Sequence, residues 1–230
     1  MAAVPGHLYA NSQRATVLAS DRFTVHTVEH LLFATLLWGH HWVVEMDGPE
    51  IPILDGSALP FVEAMKTQVT ANDLSFFRVP HVLDIRAGDA FAKITPCTAN
   101  DVPRYSVQLV YQAEPGNMAC TVSPVHRQEI ADLAPARTFA LASEVGKMKS
   151  QGLARGGTLD CALVIGKHGP LNPEGMRLPD EPARHKMLDL FGDLALLGAL
   201  PWAHIQIVHP GHRLNHAIVR QLSAYRSKVC

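Results

Sequence analysis

The run Arg184-His185-Lys186-Met187-Leu188-Asp189-Leu190-Phe191-Gly192-Asp193 constrains this chain more than any other stretch. Written as a helix, it stacks His185, Asp189 and nearly Asp193 on one face, because side chains four apart lie one above the other. Leu188, Leu190 and Leu196 are apolar enough to anchor the same helix in a core. Polar groups in such a setting cost free energy unless a partner satisfies them. An imidazole and a carboxylate one turn apart are ligand types that Zn²⁺ accepts. The spacing therefore predicts a buried helix whose polar stripe holds something.

A chain of 230 residues is long enough for one large or two small domains with a proper core. Its formal net charge of −1 gives no pull toward nucleic acid or an acidic membrane. Cys97, Cys120, Cys161 and Cys230 form no C-x-x-C pair, which argues against a zinc ribbon and for a reducing compartment. No apolar run reaches membrane-spanning length, and the start lacks a basic segment followed by an apolar one. The expectation is a soluble cytoplasmic protein. Histidine, at 13 residues, is the outlier, and only the histidines with useful spacing carry weight.

Residues 1–23 read as irregular, with a short strand over 14–20. Residues 27–38 read as a buried Leu-rich helix closed by Gly39. A β-like run over 42–46 and a turn-rich loop over 47–57 lead to a second helix over 59–69. From Phe76 the texture changes to β-like runs over 79–85, 90–94 and 105–111. A short helix over 129–133, strand or loop over 137–142 and a helical turn or two over 144–150 follow. A Gly-rich loop over 152–160 enters a strand over 161–165, and 169–182 is a turn-rich excursion. The helix over 182–197, a strand over 203–208 and a last helix over 214–226 complete the chain. The pattern predicts an α+β fold of two domains, 1–73 and 74–230, each a sheet packed on helices.

Three constellations carry chemistry. His26-Thr27-Val28-Glu29-His30 fits H-x-x-E-H, the inverted zincin pattern. Five residues in a His-rich chain are weak support, and ordinary packing with Glu29 favoured by the helix dipole outweighs the protease reading. His185-x-x-x-Asp189 alone is more often a salt link than a metal site. Joined to Glu29-His30, it gains meaning: His30, His185 and Asp189 supply three ligands and leave a fourth position for water, with Glu29 placed to take a proton. The third, His209-Pro-Gly-His212-Arg-Leu-Asn-His216, is split by a Pro-Gly turn. It favours a single acid/base or electrostatic histidine over a second metal site. Gly156-Gly157 lacks a following G-K-[ST] and is no P-loop.

Six segments then resemble the UDP-3-O-acyl-N-acetylglucosamine deacetylases of lipid A synthesis, in order from residue 24 onward. They are Thr27-Val-Glu-His-Leu-Leu, Asp47-Gly-Pro-Glu-Ile-Pro-Ile-Leu-Asp-Gly-Ser-Ala, Ala136-Arg-Thr-Phe, Ser150-Gln-Gly-Leu-Ala-Arg-Gly-Gly-Thr-Leu-Asp, Arg184-His-Lys-Met-Leu-Asp-Leu-Phe-Gly-Asp-Leu and Gly211-His-Arg-Leu-Asn. The resemblance implies two α+β domains with zinc at their junction, held by His30, His185 and Asp189. It implies Glu29 as general base, and Thr138 as donor to the oxyanion. His212, oriented by Asp193, would be the cationic acid. Lys186 would reach substrate oxygens. Gly157, Thr158, Cys161 and Phe139 would line or contact the substrate, and an insert at about 152–181 would form an apolar passage for its acyl chain. The implied partner is a nucleotide-sugar lipid, met near a membrane surface. Fe²⁺ suits the same donors as Zn²⁺.

The chain also departs from that family. The opening G-x-x-L-H-[ST]-G signature is absent, which predicts a shortened first domain. Its sheet edge is then exposed, covered by a partner, or replaced in part by residues 1–20. His26 stands where a small hydroxyl residue is usual, and could cap the helix and pair with Glu29 as a capping box. The alternatives are a homologue that keeps zinc or nucleotide-sugar binding without catalysis, and a deacetylase of another acetamido sugar.

Overall fold

The computed structural model describes residues 1–9, 14–39, 42–66, 72–111, 116–150 and 158–226, with side chains in the fifth stretch described to 146. After a 3₁₀ turn at Pro5–His7, the order is β1 (Leu18–Ala19), β2 (Thr24–Val25), α1 (Glu29–Trp38), α2 (Leu59–Lys66), β3 (Phe76–Arg78), β4 (Leu83–Ala87) and β5 (Ala90–Pro96). Then come β6 (Tyr105–Leu109), β7 (Met118–Val122), α3 (Arg127–Ala131), β8 (Phe139–Leu141), α4 (Ala142–Ser150), β9 (Leu163–Gly166), β10 (Gly169–Pro170), α5 (Glu181–Ala195), β11 (Leu200–Val208) and α6 (His212–Arg226). The fold is α+β, as the pattern predicts.

The main sheet runs β4-β5-β11-β6-β7, with β3 alongside the start of β11. β11 lies antiparallel to β5 and parallel to β6 and β3. Alternation sets its faces. Leu83, Ile85, Val107, Leu109, Cys120 and Val122 point into the core, while Asp84, Arg86, Gln108 and Thr121 face water. α5 covers the β6–β7 part of the inner face and α6 the β4–β5 part. A second, three-stranded sheet, β10-β9-β8, lies apart from the first.

α5 is buried on nearly every side, since α1 packs on it opposite the sheet and α6 lies beside it. The apolar core runs without a break from Leu32 and Phe33 of α1 through Leu188 and Phe191 of α5 to Ile205 of β11. Leu8 and Leu18 belong to the same core, so residues before α1 help to cover it. α1 and α5 come unusually close at Gly192, where an added Cβ would stand 2.2 Å from the Glu29 carbonyl oxygen. Only glycine fits there.

Several local expectations shift. Residues 42–46 form no strand; they are mostly exposed, and Val43 is 91% exposed. The strand placed at 79–85 begins only at Leu83, as β4; residues 79–82, with Pro80 among them, are not strand, and β3 ends before them at Arg78. β7 was not foreseen, since Met118, Ala119 and Cys120 carry little β preference; its pairing with β6 makes it a strand. The capping box is also overturned. Val28 is the N-cap of α1 and no side chain caps it. His26 bonds instead to the Thr24 hydroxyl and Thr27 to Glu50.

Gly192→Ala is expected to cost roughly 1–3 kcal/mol by forcing α1 away from α5. Urea unfolding checks this: an unchanged midpoint would mean that the two helices can separate without loss.

Candidate active site

Each half of the chain brings part of one buried cluster. Glu29 and His30 open α1, His185, Asp189 and Asp193 line α5, and His212 begins α6; all six are buried. His185 Nε2 lies 3.3 Å and His30 Nε2 3.8 Å from Asp189 Oδ1. These three residues converge with ligand-capable atoms within 4.8 Å of one another. The donor set suits a divalent cation, and two further observations agree. Asp189 Oδ1 is buried without a hydrogen-bond partner among the described residues. His185 Nδ1 donates to the Ala136 carbonyl at 3.1 Å, which leaves Nε2 with its lone pair toward the cluster. His26, the other histidine of the zincin-like pattern, is absent from this group.

Burial governs the protonation states. It pushes His30 down to about 3 and lowers His185 as well, so both rings are neutral donors of lone pairs. Burial opposes the charge on Asp189, yet His185, Lys186, His212 and His30 outweigh it and hold the carboxyl well below the usual carboxylate range. Glu29 goes the other way: burial pushes it up to about 7. His212 is disfavoured as a cation by burial, but Asp189, Asp193 and Glu29 raise it to about 9. A carboxylate that can take a proton thus faces an imidazolium that can give one, with Glu29 Oε1 3.6 Å from His212 Nε2.

Asp193 holds His212 by accepting its Nδ1–H at 3.1 Å, and also accepts from Asn215 Nδ2 at 2.9 Å. Asp193, His212 and His216 form a second buried group of metal-ligating types. Both oxygens of Asp193 already accept hydrogen bonds, from Thr16 on one side and from His212 and Asn215 on the other, so this group is a bonded network. His209 stands apart from it, exposed on the turn.

Of the predicted substrate residues, Lys186 and Phe139 touch this centre. Lys186 donates to Asp189 Oδ2 at 2.8 Å and sits 5.6 Å from the Phe139 ring centre, so here its ammonium is paired with Asp189. Phe139 packs edge-on to His185. Thr138 lies between Ala136 and Phe139, both of which touch His185. Its N–H donates to the Gly56 carbonyl at 2.6 Å. Gly56 has φ +83° and no room for a side chain against the Cys161 carbonyl, so the 47–57 loop is locked to Thr138 and Cys161. Thr158 is exposed and its N–H donates to Cys161 Sγ. Gly157 and the start of the acyl-passage insert fall outside the described residues.

Two residues had no role from sequence. Thr16 touches Glu29, Asp193, His212 and His216. Arg137, fully buried, fastens the segment bearing Thr138: it pairs with Glu181 at 2.8 Å, with Glu174, and with the Gly175 carbonyl at 2.7 Å. Arg137 stood inside a recognised motif, Ala136-Arg-Thr-Phe, so a signal existed. Thr16 stood in the predicted short strand over 14–20, with no motif to single it out.

A neutral-histidine and carboxylate ligand set beside a separate carboxylate and imidazolium defines a hydrolase-type site with a candidate metal centre. A model of the UDP-3-O-acyl N-acetylglycosamine deacetylase family matches residues 2–224. The chain is 39% identical to the UDP-3-O-acyl-N-acetylglucosamine deacetylase of Citrifermentans bemidjiense, over 92% of this chain and 70% of that one. It is 37% identical to the protein of the same name from Thermosynechococcus vestitus, over 97% of this chain and 79% of that one. The chain belongs to this deacetylase family, and it is an enzyme of the amidase type.

Removing the Arg137 side chain strands Glu181 in the core, and Arg137→Ala is expected to cost roughly 3–5 kcal/mol. Burial opposes the charged form of Glu181, but hydrogen bonds from Arg137 and from the Arg177 N–H hold it below its ordinary 4.5. Its stabilising contribution is therefore complete above that value and is lost as pH falls through the lower folded value. Thermal melts across acid pH check this: the parent loses more stability there than Glu181→Gln, and parallel curves would contradict it.

Proposed function

We propose that the protein is a zinc-dependent amidase that removes the N-acetyl group of UDP-3-O-acyl-N-acetylglucosamine, releasing acetate, within lipid A biosynthesis. The observation that carries this reading is the convergence of His30, His185 and Asp189, with Asp189 Oδ1 lacking a hydrogen-bond partner among the described residues, beside Glu29 and His212 in a chain of this family. Zn²⁺ bound by those three side chains supplies Lewis acidity to the amide and to the attacking water. Fe²⁺ suits the same donors. In this reading the chain divides near residue 73 and the cluster is built across the junction. Among the described residues no helix is long and apolar enough to cross a membrane. A cytoplasmic enzyme meeting its lipid substrate at a membrane surface fits this reading.

The chain's own residues then have these tasks. Glu29 takes a proton from the water as its oxygen bonds to the acetyl carbon. The Thr138 hydroxyl donates to the amide oxygen as negative charge grows there. His212, held by Asp193, gives its proton to the sugar nitrogen as the C–N bond breaks, and acetate leaves. Lys186 binds substrate oxygens once released from Asp189. Phe139, Gly157, Thr158 and Cys161 line the passage made by the 152–181 insert or contact the substrate.

The purified chain is expected to carry about one zinc, by elemental analysis, as a mononuclear site requires. It should release acetate from UDP-3-O-acyl-N-acetylglucosamine. Glu29→Ala should keep the metal and lose roughly 10²–10⁴-fold in kcat, whereas His185→Ala should lose the metal. Full turnover by Glu29→Ala would sink the mechanism, and metal without any turnover by the parent would sink the assignment as an enzyme of this substrate.

A further inference from the structure

Thr16 lies two residues before β1 and is fully buried. Its main chain and side chain bond to different members of the site. The N–H donates to Glu29 Oε2 at 2.9 Å, and the carbonyl accepts the Val28 N–H at 3.2 Å, just before Glu29. The hydroxyl donates to Asp193 Oδ1. A hydroxyl has one proton, so its 2.9 Å contact with His216 runs the other way, from His216 Nε2–H to Thr16 Oγ1. His212 Nδ1 is 3.1 Å from both Thr16 Oγ1 and Asp193 Oδ2. The carboxylate is the stronger acceptor and takes that proton.

One residue therefore holds two carboxylates from a single Cα: Glu29, and the Asp193 that orients His212. With Oε2 of Glu29 occupied by the Thr16 N–H, Oε1 is the oxygen turned toward His212, at 3.6 Å. We infer that Thr16 is a positioning residue of the deacetylase reaction, fixing the separation and orientation of Glu29 and His212 through its N–H and its hydroxyl. The inference rests on the proposed roles of those two residues. His216 completes the device by donating to the Thr16 hydroxyl, which directs the hydroxyl proton at Asp193. Valine at position 16 keeps the N–H and nearly the same shape. It leaves Asp193 Oδ1 without its donor and His216 Nε2–H without its acceptor, so the base stays held while the acid loses its orientation.

The test is steady-state kinetics of Thr16→Val and Thr16→Ser on UDP-3-O-acyl-N-acetylglucosamine, with zinc content measured alongside. Thr16→Val should lower kcat roughly 10–100-fold with KM and zinc content near those of the parent. Thr16→Ser should recover most of the loss. In an Asp193→Ala background, Thr16→Val should add no further loss, because both changes break one chain of contacts. Parental kcat in Thr16→Val, equal losses in Val and Ser, or a full additional loss in the Asp193→Ala background would each overturn the inference. Should Thr16→Val not fold, ¹⁵N spectra of the histidine rings in the parent decide: His216 is expected as the Nε2–H tautomer, and the Nδ1–H tautomer would overturn it. Full turnover by Glu29→Ala would instead defeat the underlying mechanism, an outcome separate from any of these.

Discussion

Glu29, His30, His185, Asp189, Asp193 and His212 share one buried volume, and an ion taken out of water costs several kcal/mol unless it is paired. Each side chain meets that cost differently. The two histidines nearest Asp189 stay neutral, Asp189 stays charged among cationic and polar neighbours, and His212 is charged because three carboxylates surround it. The rest of the architecture keeps these groups dry and at fixed distances. α5 can carry His185, Asp189 and Asp193 only because the sheet, α1 and α6 pack against it.

The cluster has two ends with opposite characters. Around Asp189 Oδ1 the donors converge with a bond left over, which is the condition of a site built to receive something. Around Asp193 each oxygen already has a partner, and the residues there are locked. Thr16 joins this closed end to Glu29, which lies between the two. A third group of contacts, centred on Arg137 and Glu181, pins the 136–139 segment beside His185. The binding end is thus framed by rigid neighbours on both sides.

Much of this was legible in the sequence for specific reasons. His185, Asp189 and Asp193 could be grouped because helix periodicity is a local rule, and α5 obeys it over fifteen residues. His30 and Glu29 were found through a motif at a helix start. Thr16 could not be found that way: its four partners lie on α1, α5 and α6, and nothing about a threonine in a short predicted strand announces a contact across the chain. β7 was missed because pairing with β6, not side-chain preference, makes it a strand. The capping expectation failed at Glu29 because tertiary demand overrode a local rule. Its carboxylate turned inward to Thr16 and His212 instead of back to its own helix end.

The central strand β11 pairs with β3, β5 and β6, all of which precede it by roughly half the chain. Such pairing closes long loops before it returns any stabilisation, and contacts of this kind form slowly. His30 likewise waits for His185 and Asp189, which lie far later in the chain. The ligand set exists only once α1 and α5 are packed together, so the ability to bind the ion is a product of that long-range packing and of no single segment.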